Sequence, residues 1–264
     1  MALLSIKSLT RYFGGLCAVN DVNLDVEEGA VAGVIGPNGS GKTTLFNLIT
    51  GIYRPSGGSI EFAGRDIAAE RPERIARMGI SRTFQNIRLF KAMTVLDNIK
   101  VAHPEGRAYG RIEALFHAGR YGPAERRVTE QSMEFLRSFK LDGNASDAAG
   151  KLPYGLQRRV EIVRALAAGP KLLLLDEPAA GMNPREIDEL MAFIMEIRQR
   201  GDIRERGGAH NVSILLIEHQ MRLAMNVCGH FTVMDFGQAI ARGTPAQIRQ
   251  DPRVIEAYLG RRAT

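Results

Sequence analysis

The sequence predicts an α/β fold: a core sheet of buried strands flanked by helices, with an antiparallel β region at its front and a helical segment inserted midway. Three observations carry this reading. Short apolar runs at Val31–Ile35 (VAGVI), Leu172–Leu175 (LLLL) and Ile214–Ile217 (ILLI) each stop at polar residues, and continuous apolar runs of this length suit strands buried on both faces. The stretch from Leu3 to Glu27 alternates in KSLTRYF and VNLDV, the period-two pattern of half-buried antiparallel strands. From about Phe90 to Ser146 the pattern turns helical, as in VTEQSMEFLRSF, with breaks at HPEG, YGP and LDGN; Gly and Pro punctuate elements in this way.

With 264 residues, 45% of them hydrophobic, the chain can bury a full core, which excludes a disordered polypeptide. It has no basic start leading into a signal-type apolar run. No stretch approaches the ~20 apolar residues that span a bilayer, so the expectation is a soluble, cytoplasmic chain. Cys17 and Cys228 lie far apart without metal-type spacing and are assigned no function. The net charge of +6 is spread along the chain. Its densest basic stretch, Arg198 to Arg206 (RQRGDIRER), carries acids and a glycine and reads as a solvated helix end and loop, so nucleic acid is not an expected partner.

Taken in order, Val31–Ile35 runs into GPNGSGKTT, followed by Leu45, Leu48 and Ile49 at helical spacing. This strand, loop and helix is the setting in which G-x-x-x-x-G-K-[ST] binds phosphate. Glycines let backbone N–H groups turn inward, and the positive end of the helix points at the anion. Gly36, Pro37, Asn38, Gly39, Ser40, Gly41, Lys42, Thr43 and Thr44 are therefore candidate nucleotide-binding residues. Lys42 is expected to reach the β- and γ-phosphates and Thr43 to ligate Mg²⁺ through its hydroxyl. Asp176, ending the LLLL strand, is the natural carboxylate to support Mg²⁺, and Glu177 is placed to orient and polarise an attacking water. His219 ends the third strand, on the edge where a ligand lies in such sheets. Gln85, in RTFQN, has no warrant from the residues alone.

The order GPNGSGKT, TFQN, LPYGLQRR, LLLLDEP, AGMN and IEH resembles the ATP-binding subunit of an ABC transporter over nearly the whole chain. GGLCAVNDVNL, TFQNIRLFKAMTVLDNI, DEPAAGMNP, LLIEH and the closing GTPAQIRQDPRVIEAYLG are similar to the branched-chain (hydrophobic) amino-acid importer subfamily. The resemblance implies a P-loop NTPase (RecA-like) core with an antiparallel β subdomain and an inserted α-helical subdomain. The nucleotide-binding domain would span 1–264, with the helical subdomain at 88–150 and a C-terminal tail at 241–264. It implies ATP and Mg²⁺ as cofactors, Phe13 stacking on adenine with Tyr12 as the alternative, Gln85 sensing Mg²⁺ and γ-phosphate, Glu177 as catalytic carboxylate and His219 as γ-phosphate switch. Mg²⁺ would be held by Thr43, Gln85 and Asp176.

In LPYGLQ, residues Pro153, Tyr154, Gly155, Leu156 and Gln157 align with the family signature LSGGQQ, which closes over the ATP bound by the opposite subunit. Pro153 replaces the serine, removing a hydroxyl and an N–H. Gly155 and the helix N-terminus remain as an anion contact, and Leu156, Val160 and Val163 repeat at helical spacing. The expectation is a working variant of the signature, against the alternative of a dead site. Asn183 stands where the family has aspartate, and Gly229 and His230 stand where it has Asp-Arg. The segment GDIRERGGAHN at 201–211 is longer than usual and is expected to be an exposed loop.

The implied function is ATP hydrolysis powering uptake of branched-chain or other hydrophobic amino acids. The implied partners are two integral membrane permease subunits, a second ATP-binding subunit and, indirectly, an external substrate-binding protein. The implied location is the cytoplasmic face of the inner membrane. Alternatives are service to another transporter, for urea or amide uptake or lipopolysaccharide export, and a soluble non-transport ABC ATPase. A phosphate-loop kinase would leave LPYGLQRR unexplained.

Overall fold

The computed structural model describes residues 2–103, 121–199 and 212–259, so the 201–211 segment and part of the 88–150 region lie outside the described residues. Two compact units emerge, one formed by Met1–Gln85 with Lys171–Thr264 and the other by Asn86–Pro170.

In the first unit, β1 (Ala2–Phe13) and β2 (Leu16–Glu27) form an antiparallel pair. They join β4 (Gly57–Phe62) and β5 (Arg65–Asp66) in a sheet of order β2-β1-β4-β5. Alternation does its expected work in β2: Val22, Leu24 and Val26 are buried while Asp21, Asp25 and Glu27 face solvent. The core sheet has the order β10-β9-β3-β8-β7-β6. Its strands are β3 (Val31–Ile35), β6 (Ile80–Arg82), β7 (Leu172–Asp176), β8 (Ser213–Ile217), β9 (His230–Asp235) and β10 (Gln238–Gly243). The three apolar runs of the sequence are β3, β7 and β8, buried at every residue and mutually parallel. Only β10, paired antiparallel with β9, departs from the parallel pattern.

The chain leaves β3 for β6 and β7, returns beside it as β8, then crosses to its other side as β9. The carboxyl end of β3 is thus the point where the order reverses, the place where a parallel sheet opens a crevice for ligand. Between the sheets lies α1 (Lys42–Ile49), whose Leu45, Phe46, Leu48 and Ile49 join one core with residues of β1, β2, β3, β4, β7 and β8. Helices α2 (Pro72–Met78), α6 (Pro184–Gln199) and α7 (Met221–Val227) and the C-terminal α8 (Pro245–Gln250) and α9 (Pro252–Leu259) complete this unit. A complete capping box starts α8, with the Thr244 hydroxyl and Gln247 side chain satisfying each other's backbone N–H groups.

The second unit is helical, comprising α3 (Val95–Ala102), α4 (Tyr121–Ser138) and α5 (Tyr154–Ala167). It spans 86–170, where the resemblance implies 88–150; the difference is α5, which packs on α3 and α4. Its interior is partly polar. Arg158 and Glu161 are fully buried as an ion pair at 2.7 Å, and Glu161 also accepts the backbone N–H of Arg88 at 2.8 Å. Burial pushes the Glu161 carboxyl above its ordinary range, against the opposing pull of the Arg88 N–H and the Arg158 charge. Buried Asn98 accepts from the Phe90 N–H and donates to the carbonyls of Phe90 and Thr94, holding residues 90–94 against the start of α3.

Candidate active site

At the carboxyl edge of the core sheet lies a cleft of about 820 Å³, lined by Asn38 to Thr44, Gln85, Glu177 and His219, with Phe13, Leu16, Ala18 and Phe236 at its apolar end. That volume suits a small-molecule ligand. The loop after β3 is held by its first glycine: Gly36 has φ +150°, and a Cβ there would stand 2.0 Å from the Met234 carbonyl oxygen. Gly41 then caps α1 in the left-handed region. Buried Lys42 donates from Nζ to the carbonyls of Gly36 (2.8 Å) and Pro37 (2.7 Å) and to Ser40 Oγ (3.2 Å). Burial lowers the Lys42 pKa, and the charges of Glu177 and Asp176 oppose this. A partly desolvated ammonium among inward-turned backbone groups is suited to a polyanion.

Three residues drawn from distant parts of the sequence meet opposite the loop. Gln85 Nε2 donates to Glu177 Oε2 at 2.7 Å, and His219 Nδ1 stands 3.6 Å from the same oxygen. Glu177 follows β7 with φ +44°, a conformation that a non-glycine residue keeps only where its surroundings enforce it. Its N–H donates to the carbonyl of Ile217 at 2.9 Å. Phe13 is 37% exposed at the cleft, packed edge-on against Tyr53 at 5.0 Å and capped by the Arg11 guanidinium at 4.6 Å. Tyr12, half exposed, is not among the cleft-lining residues.

The donor set fits Mg²⁺. Thr43 lines the cleft with its hydroxyl side chain and Asp176 offers a buried carboxylate at the end of β7, and this ion takes one or two carboxylates together with phosphate and water. Two supports of the site have no local signature in the sequence. Arg82, at the end of β6, pairs with Asp176 Oδ2 at 2.7 Å and donates to Asn47 Oδ1 at 2.7 Å. Buried Glu218 accepts the N–H groups of Ala179, His219 and Gln220 at 2.9–3.0 Å, fixing the chain on both sides of His219. Burial raises its pKa against those three donors. The missing signals were Asp176, 94 positions from Arg82, and Ala179, 39 positions from Glu218.

On the second unit, exposed Pro153 and Tyr154 begin α5. Pro153 is the N-cap without a side-chain cap, Gly155 and Leu156 are half-buried, and Gln157 donates from Nε2 to the Leu152 carbonyl at 2.7 Å. The Tyr154 hydroxyl lies 3.4 Å from buried Arg158. In the first unit, Asn183 and Glu186 exchange reciprocal side-chain to backbone bonds at 3.0 Å. That is a helix cap at α6, for which Asn serves as well as Asp. Gly229 donates to the Val31 carbonyl and His230 opens β9.

The profile of the family described as ABC transporter matches residues 19–180, and that described as branched-chain amino acid ATP-binding cassette transporter matches residues 240–264. The chain is 46% identical over 258 residues to the high-affinity branched-chain amino acid transport ATP-binding protein BraF of Pseudomonas aeruginosa, covering 98% of each. It is 43% identical to LivG of Escherichia coli K12, of the same description, again over 98% of each. Among solved structures, an ATP-binding cassette of an ABC transporter in its ADP conformation aligns with TM-score 0.82 at 33% identity, over 98% of this chain and 99% of that one. A nucleotide-free cassette aligns with TM-score 0.81 at 32% identity, over 98% and 100%.

Proposed function

We propose, from the premise that the chain belongs to the ABC transporter family, that it is the ATP-hydrolysing subunit powering uptake of branched-chain or other hydrophobic amino acids. The observation that carries the reading is the meeting of Gln85, Glu177 and His219 across one cleft from the phosphate loop. In this reading, selection of the transported molecule falls to membrane and external partners.

In this reading Lys42 and the loop N–H groups of residues 36–44 take the phosphates, and Phe13 offers its ring to the base. Glu177 holds the attacking water as a hydrogen-bond acceptor and polarises it. His219, half exposed and sharing the Glu177 oxygen with Gln85, reports on the γ-phosphate. Thr43 and Asp176 would hold Mg²⁺, with the Gln85 carbonyl oxygen as a third donor; the ion neutralises charge on the phosphates. Gln85 thereby joins the catalytic carboxylate to the segment leading into the helical unit.

The signature residues Pro153 to Gln157 would meet ATP bound by a second ATP-binding subunit. The N-terminal end of α5, which begins at Tyr154 beside Gly155, supports a working contact. Among the described residues no helix is long and apolar enough to cross a membrane; membership of the family implies membrane permease partners. We place the chain at the cytoplasmic face of the membrane, against two such subunits, with an external binding protein acting through them.

Glu177→Gln is expected to keep ATP affinity while lowering turnover by about 10²–10⁴-fold, read by equilibrium binding beside phosphate release. Near-normal turnover would remove Glu177 from its role. Purification of the tagged chain from membranes is expected to bring two multi-span proteins. If only ribosomal or DNA-bound proteins come with it, the transport assignment fails while the ATP chemistry stands.

A further inference from the structure

The hairpin joining β9 to β10 turns on two residues, Phe236 and Gly237, with φ +42° and +79°. Positive φ at both central positions defines the type I′ turn, whose first position strongly favours Asn, Asp or Gly. A bulky aromatic there is an outlier, because its Cβ crowds the following carbonyl. The ring gains no packing in return: Phe236 is 87% exposed, the highest value among the exposed large apolar side chains of the described residues. Neither the backbone conformation nor the exposure serves the core.

The turn is nonetheless tightly placed. Gly237 donates to the Ser40 carbonyl of the phosphate loop at 3.1 Å and accepts from the Asn20 N–H at 2.8 Å. A Cβ on Gly237 would press on the Ala18 carbonyl at 3.0 Å. Phe236 is therefore fixed beside the loop that receives the phosphates, lining the same cleft as Phe13, Leu16 and Ala18. Gln85, Glu177 and His219 line that cleft too, gathered around one carboxylate oxygen. An apolar, aromatic end beside a phosphate-binding loop matches a ligand with a flat heterocycle at one end and phosphates at the other.

We infer that Phe236 is a second aromatic contact for the nucleoside part of bound ATP, complementing Phe13. The inference rests on the nucleotide reading of the cleft. An exposed ring at a strained turn is retained because the ligand covers it, and the hydrogen bonds of Gly237 to Ser40 and Asn20 hold the ring ready before binding.

The test compares two ligands, ATP and inorganic tripolyphosphate, by titration calorimetry at fixed Mg²⁺ on the full chain. Phe236→Asn removes the ring and installs a residue that the turn favours, so the hairpin survives; Phe236→Tyr keeps an aromatic face. Base stacking on an aromatic is worth enough that ATP affinity is expected to fall roughly tenfold in Phe236→Asn. It is expected to stay near wild type in Phe236→Tyr, with tripolyphosphate affinity unchanged in both. Unchanged ATP affinity in Phe236→Asn overturns the inference, as does an equal loss for both ligands. If ATP-dependent self-association is lost while ATP affinity holds, the ring belongs to a subunit interface and the inference is wrong. If the wild-type chain binds neither ligand, the nucleotide reading itself fails.

Discussion

Replacing Arg82 with Met tests whether the core of the site is held by charge. The guanidinium pairs with Asp176 at 2.7 Å with both side chains almost buried, 7% and 6% exposed. It also donates to Asn47 Oδ1 at 2.7 Å and packs over the rings of Phe46 (5.5 Å) and Phe84 (5.0 Å). Methionine keeps an unbranched apolar body and removes the charge. Breaking a buried pair by deleting one partner costs about 3–5 kcal/mol, because the other charge is left uncompensated. The donor lost by Asn47 pushes toward the upper end by about 1 kcal/mol. The Lys42 ammonium, electrostatically coupled to Asp176, pushes toward the lower end. The two corrections oppose each other, and we expect a loss of about 4 kcal/mol in urea denaturation. At about 2–4 °C per kcal/mol for a chain of this size, Tm should fall by roughly 8–16 °C. The double variant Arg82→Met with Asp176→Asn no longer carries the stranded charge, so it should be more stable than the sum of the two single losses by about 2 kcal/mol. Additivity within about 0.5 kcal/mol would refute the argument, because the cost would then come from packing alone.

Three further outcomes are expected. Lys42→Ala removes the buried ammonium that faces Glu177 and Asp176, and equilibrium titration should show micromolar ATP binding lost; retained affinity would count against the phosphate-loop assignment. Asn98→Ala strands the N–H of Phe90, whose carbonyl keeps the Met93 N–H, and a cost of about 1–3 kcal/mol should appear as faster amide exchange at residues 90–98. Burial pushes the Cys228 thiol up to about 12. At pH 8 its thiolate fraction is then about 10⁻⁴, against about a quarter for an ordinary thiol, so thiol reagents should modify it only after unfolding. Because the folded pKa is raised, its contribution to stability is complete below the unfolded value and declines as pH rises from about 9 to about 12. Cys228→Ala should flatten that alkaline loss in pH-dependent denaturation.

The strands and the phosphate loop were legible because each is local. VAGVI, LLLL and ILLI announce burial by themselves, and GPNGSGKT specifies its own backbone. Glu177 and His219 were legible as polar ends of buried strands, and Gln85 only through the order of motifs, since nothing near it shows that its amide reaches Glu177 across 92 positions. Arg82 and Glu218 escaped for the same reason: an arginine before TFQ and an acid before a histidine look solvated until distant backbone and carboxylate groups close around them. The cap made by Asn183 was readable, since Glu186 follows at the spacing of a capping box. The 88–150 boundary ended early because membership of α5 in the helical unit is decided by its packing on α3 and α4.

The close approach at Gly36 bears on how selection acts along this loop. Any side chain there would collide with the Met234 carbonyl, a group of β9 that belongs to the sheet and plays no part in binding phosphate. Variation at this position is therefore filtered at the level of protein abundance. In living cells, substitutions at Gly36 should deplete the polypeptide itself, whereas those at Lys42 should leave a normal amount of inert protein.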